Sequence, residues 1–220
     1  KKKLADFLNK WIKQKINKIL KSLIDLKNLK ESNSSIKALA YQLYENNGVI
    51  KRDQVSEYLK ILGQEDRKVL RELGVKFGRY HVFLHRLIKP EPVSLRTLLW
   101  KNYHQKFLNL KPPTFGLNFI DDNQKRNKDF MLLCGFENFD NFFIRIDMLE
   151  RLFMKIINLS NDKNKEIKLI SDMLNLLGCT KENFIKLLKK MGYKVFEKNK
   201  ETIFKYLPQK NHKKILKKVS

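Results

Sequence analysis

His81 and His85 stand four residues apart, a spacing that puts two imidazoles on one face of a helix, where they could share a metal ion. The other candidate ligands, Cys134, Cys179, His104 and His212, recur at no metal-ligand spacing, so no third ligand is evident. The run VKFGRYHVFL (75–84) around His81 also reads partly as strand, and no metal is expected. Asp147 and Glu150 form the second constellation, because two carboxylates on one helical face can work as an acid and a base. Arg145 and Arg151 flank them, so salt bridging is the stronger expectation. Cys134 and Cys179 read as buried thiols of a reducing compartment, with no disulfide framework. GxxxxGK[ST], GxGxxG and HExxH are all absent, and no Ser-His-Asp or Cys-His set can be assembled.

What remains is charge. The net charge is +24, and it is uneven. Residues 181–220 hold 13 Lys and 3 Glu (+10), and residues 1–30 hold 10 Lys and 2 Asp (+8). The 150 residues between them therefore carry only 24 − 18 = +6. Of the 47 cationic residues only 9 are Arg, a bias that AT-rich coding could produce. Such drift would raise Lys everywhere, whereas the middle is nearly balanced. Two basic ends point to a polyanion, with nucleic acid the leading candidate. A hydrophobic fraction of 42% and an aromatic fraction of 11% argue for a folded chain. No run approaches a membrane span and no signal peptide is visible, so a cytoplasmic location is expected. The Lys1-Lys2-Lys3 start suggests a fragment or a processed chain.

Elements must position these groups. Leu4, Leu8, Trp11, Ile12, Ile16, Ile19 and Leu23 predict a helix over 4–29. Lys10, Lys13, Lys18 and Lys21 on its other face fit phosphate contact, a membrane surface or plain solvation. Ser32–Ser35 breaks the chain, a helix follows to Asn46, and short helices close at Gly63 and Gly74. A hairpin is expected near 75–84, then a helix over 93–108. Pro112-Pro113 and the polar stretch Asp121–Asn123 mark 111–140 as a linker. Beyond it come a helix from Phe143, a helix ending at Gly178, and a helix capped by Thr180 and ending at Gly192. Alternation through 193–197 and 202–206 completes a helix–turn–helix–hairpin order, that of a winged helix.

The expected fold class is mainly α: a helical bundle-like module (1–110), the linker, a winged-helix-like module with a small β-hairpin (141–207) and a basic tail (208–220). The nucleic-acid-binding candidates are Lys76, Arg79, Lys186, Lys189, Lys190, Lys194, Lys198 and Lys200. Phe77 and Tyr80 read as core, with base stacking as the alternative.

Several segments carry a resemblance, in order along most of the chain: LADFLNKWIKQKINKILKSLIDL (4–26), ALAYQLYENNGVIKRDQV (38–55), RKVLRELGVKFGRYHVFLHRLIKP (67–90), SLRTLLW (94–100), PPTFGL (112–117), RIDMLERL (145–152) and LLGCTKENFIKLLKKMGY (176–193). Together they resemble the region after the motor in alphaproteobacterial helicase-related proteins. These are superfamily 2 enzymes similar to the RNA helicase of the mitochondrial degradosome. GVKFGRYHVFL and RIDMLERL are the most specific pieces. His85 stands where that family usually has proline, and the chain has Lys, Ile and Asn where the family has Arg and Ala. The resemblance implies an accessory region of an ATP-dependent helicase that guides RNA or DNA strands. ATP and Mg belong only to a motor absent from this chain, so no cofactor is expected here. The implied partners are nucleic acid and the motor domains of the same full-length protein. The alternatives are a protein-docking module without nucleic-acid contact, and a peripheral membrane protein using the first helix.

Overall fold

The short helices of this chain alternate with shorter strands, and the strands decide the architecture. The computed structural model describes residues 2–29, 33–122, 126–160 and 166–206. The expected basic tail, 208–220, and His212 lie outside the described residues.

The first unit opens with α1 (Lys2–Ile19), α2 (Lys21–Lys27) and α3 (Ser34–Glu45). The helix expected over 4–29 is thus two, with a bend at Leu20. The Asn33 side chain caps α3 by accepting the Ile36 amide at 2.9 Å. Next come β1 (Val49–Lys51), α4 (Ser56–Ile61), α5 (Gln64–Glu72), β2 (Val75–Phe77) and β3 (His81–Leu84). The second unit holds α6 (Pro90–Tyr103), β4 (Phe119–Asp121), α7 (Lys128–Leu133), β5 (Phe136–Phe139) and β6 (Phe142–Arg145). The third holds α8 (Ile146–Leu159), β7 (Ile167–Lys168), α9 (Ser171–Leu177), α10 (Lys181–Lys190), β8 (Tyr193–Lys198) and β9 (Glu201–Tyr206).

The strands form three antiparallel three-stranded sheets, ordered β1-β3-β2, β4-β6-β5 and β7-β9-β8. This overturns the mainly α class: the fold is mixed α/β. Two of the three-stranded sheets lie where a helical module with only a hairpin at 75–84 and a linker were expected. The linker range 111–140 contains β4, α7 and β5. The physical reason is strand length. Segments such as VIK, FID and IK are two or three residues long, too short to display a period of two. β3 is buried at all four positions and does not alternate at all.

One connectivity recurs. In the first and third units a helix precedes a strand, two helices and a hairpin, and the first strand pairs with the last. The second unit repeats this with the single helix α7 between β4 and β5. Each copy closes a small hydrophobic core over its own sheet. Leu39, Leu43, Leu70 and Leu84 anchor the first, and Leu149, Leu152, Phe184 and Phe204 the third. β6 stitches two cores together through its pleat. Phe142 and Ile144 point into the third unit's core, whereas Phe143 points into the second unit's, beside Phe130 and Phe136. Val49, Phe83, Ile88 and Ile146 make a fourth cluster that joins the first unit to the third.

Candidate nucleic-acid interface

A buried ionic knot, to which all three units contribute, joins them. His81 on β3 is 1% exposed. Its Nε2 lies 2.6 Å from Oε2 of Glu137 on β5, and its Nδ1 lies 3.7 Å from Oε1 of Glu150 on α8. Lys51, paired with His81 in the β1–β3 register, donates to Glu137 Oε1 at 2.9 Å. Burial alone would lower the His81 pKa, but the hydrogen bond to Glu137 and the Glu150 carboxylate close to its other nitrogen override it and raise the value above 6.5. Burial pushes Glu137 upward, yet hydrogen bonds from His81 and Lys51 hold its carboxyl below the usual 4.5. Glu150 is lowered in the same way, burial being outweighed by His81 and three backbone amides. An imidazolium between two carboxylates is the consistent state.

Glu150 does more than balance charge. It accepts the backbone amides of Arg79 (2.5 Å), Tyr80 (2.9 Å) and His81 (3.1 Å), and so grips the β2–β3 turn. From the other side Arg52 donates from its guanidinium to the Gly78 carbonyl at 2.8 Å, and its amide donates to the Tyr80 carbonyl at 2.8 Å. Gly78 is required here, since a Cβ at that position would meet Glu150 Cδ at 2.3 Å. The Tyr80 ring closes the joint edge-on against Phe153 and Phe139.

With the turn pinned on α8, an open cleft of about 780 Å³ forms between β2–β3 and α8. Arg71, Lys76, Arg79, Arg151 and Lys155 line it, with His85 beside them. The acids among its lining residues are both engaged elsewhere. Asp147 binds Arg145 through two contacts, at 2.7 and 3.1 Å, and Glu150 holds the turn. Among the described residues, Arg71, Lys76, Arg79 and Arg151 enter no ion pair, while Lys155 reaches Asp172 at 2.9 Å. The cleft has apolar walls as well. Arg71 lies over the Phe77 ring at 5.7 Å, and Arg79 over Phe153 at 5.4 Å. Burial, and then Lys89, lowers the His85 pKa, which favours the uncharged ring at the cleft edge.

Two of the eight residues singled out from sequence, Lys76 and Arg79, line this cleft. The other six belong to the third unit. Lys186, Lys189 and Lys190 are exposed on α10, Lys194 and Lys198 lie on β8, and Lys200 sits in the β8–β9 turn. Lys190 is tied to Asp140 at 2.5 Å and Lys198 to Glu166 at 3.3 Å. Asn199 and Lys200 have φ of 53° and 63°, the left-handed pair of a tight hairpin turn. Phe77 is half-buried under Arg67 and Arg71, and Tyr80 is wedged between units. His81 and His85 do not converge: one is in the knot and the other on the cleft rim. Among the described residues no group of three or more His, Cys, Asp or Glu is arranged to hold a metal. Of the two acids, Asp147 pairs with its neighbour Arg145, while Glu150 grips backbone 70 residues away.

Sequence reasoning missed Arg71, Lys155 and Glu137. Arg71 and Lys155 look like ordinary solvated cations on their helices. Glu137 sits in FENF, where nothing local marks it as the partner of a histidine 56 residues away.

No family model, curated protein or solved structure matches this chain.

Proposed function

We propose that the chain is a nucleic-acid-binding module whose cleft between β2–β3 and α8 receives the phosphates of an RNA or DNA strand. The observation that supports this best is the set of unpaired cations around a concave surface whose own carboxylates are already satisfied. Such a surface presents net positive charge, and a polyanion gains by releasing its counterions there. The apolar walls under Arg71 and Arg79 suit sugar and base faces, which a phosphate or sulfate would not need. α10 and the β8–β9 hairpin, read as a winged-helix-like unit, offer a second basic face through Lys186, Lys189 and Lys194. On this reading the chain is an accessory that guides strands, with the ATP-dependent motor supplied by helicase domains outside it.

The test is fluorescence anisotropy with single-stranded RNA, single-stranded DNA and duplex DNA across a salt series. Micromolar or tighter binding with a steep salt slope is expected. Neutralising Lys76, Arg79 and Arg151 to Gln should lower the slope by about one per residue. The matched change at Lys186, Lys189 and Lys194 measures the second face in the same units. Absence of binding at low salt would overturn the reading in favour of a protein-docking module.

A further inference from the structure

α1 exposes a large apolar stripe. Leu4, Phe7, Leu8, Trp11 and Ile12 are 64%, 65%, 47%, 51% and 47% exposed, and no residue of α1 is buried. Their spacing places them on one side of the helix. The opposite side carries Lys3, Lys10 and Lys13. In all, α1 holds six Lys and one acid, Asp6.

The stripe does not end in solvent. Lys15 and Lys18 stand seven residues, two turns, beyond Leu8 and Trp11, so they continue the same side of the helix, where Lys18 had been expected on the other face. There they meet Arg86 and Lys89 around a cleft of about 530 Å³ in which Glu91 is the one acid. Among the described residues none of these four cations is in an ion pair. An apolar stripe thus runs directly into a cationic cleft.

We propose that this face docks on the surface of an anionic phospholipid bilayer. The helix lies in the plane of the interface, with Trp11 and its neighbours at the acyl boundary. Lys15, Lys18, Arg86 and Lys89 hold lipid phosphates. Charge complementarity selects this occupant. A second copy of α1 packed stripe on stripe would bring its own cations and leave Lys15 and Lys18, which share that side, without an anionic partner. A nucleic acid would satisfy the lysines and leave five large apolar side chains in water. No helix among the described residues is long and apolar enough to cross a membrane. A strongly amphipathic, Lys-rich helix with Trp, Phe and Leu on its apolar side is the form that lies on one.

The experiment uses the whole chain carrying Trp100→Phe, which leaves Trp11 as its tryptophan, and two kinds of vesicle. One is phosphatidylcholine alone; the other contains phosphatidylglycerol at about one part in three. The expected result is flotation with the anionic vesicles, not the neutral ones, and a blue shift of Trp11 emission. Leu8→Glu with Ile12→Glu should weaken flotation about tenfold or more, since both sites are exposed and the change removes apolar insertion. Lys15→Gln with Lys18→Gln should weaken it roughly fivefold per lysine. Failure to float with anionic vesicles at low salt would overturn the proposal. So would flotation that survives Leu8→Glu with Ile12→Glu unchanged, or equal flotation with neutral vesicles. RNA binding by the Leu8→Glu, Ile12→Glu variant should remain at the wild-type level, so the two functions fail separately.

Discussion

Nε2 of His81 lies 2.6 Å from Oε2 of Glu137, and the two residues come from different sheets, 56 positions apart. Because Glu150 completes the knot from α8, protonation of one imidazole is coupled to the contact between all three units. This sets the pH dependence of stability. The His81 pKa is raised on folding, so its contribution is complete below its unfolded value near 6.5 and is lost as pH rises through the folded value. Glu137 and Glu150 are lowered, so theirs is complete above about 4.5 and is lost as pH falls through their folded values. Urea midpoints measured across pH should therefore peak between these two limits. His81→Gln should flatten the alkaline limb. A limb unchanged by that substitution would mean His81 does not titrate with folding.

Gly78→Ala should destabilise the protein by about 1–3 kcal/mol, because the new methyl group occupies the place of the Glu150 carboxyl. The displaced carboxyl would release the amides of Arg79 and Tyr80 and widen the cleft. A thermal melt measures the first effect. Nucleic-acid affinity should fall along with stability, whereas Gly63→Ala, which meets only the far end of Asp66 at 3.8 Å, should be close to silent in both.

Phe143 and Ile144 are neighbours on β6 that serve different cores. Phe143→Ala should cost roughly 3–5 kcal/mol and loosen the second unit first. Ile144→Ala should cost roughly 2–5 kcal/mol and loosen the third. Hydrogen exchange resolves the two: β5 amides lose protection in the former and α8–α10 amides in the latter. Identical exchange patterns would mean that the cores melt as one.

Burial raises the Cys134 thiol to about 12 and the Cys179 thiol to about 11. Neither is a reactive thiolate in the folded chain. Alkylation by iodoacetamide at pH 8 should be slow in the native protein and rapid in urea. Cys179, which is only partly buried, should react before Cys134.

Much of the third unit was legible in the sequence because its signals are local. Gly178 ends α9 with φ of 68°, the Thr180 hydroxyl accepts the Asn183 amide at 3.2 Å, and the β8–β9 strands are six residues long. Caps and alternation act over a few residues, so the chain displays them without its fold. The same holds for the amphipathic pattern of α1, whose stripe is visible whether or not anything covers it. Lys76 and Arg79 could be singled out as cations next to a turn.

Other features existed only once the units packed. The strands β1, β4 and β7 have no local signature; they are strands because β3, β6 and β9 offer them hydrogen bonds. That is why a bundle with a lone hairpin and a linker were expected where two three-stranded sheets stand. The cleft likewise needs α8 beside β2–β3, and Arg151 and Lys155 reach it by tertiary placement alone. Glu150 was legible as a helix-surface acid flanked by Arg, yet its partners are the amides of a turn some 70 residues earlier. Sequence determined which residues could carry charge and where helices with a local cap, such as α9 and α10, stop and start. Tertiary structure decided which charges stay unpaired, because that depends on which carboxylates distant parts of the chain have already claimed.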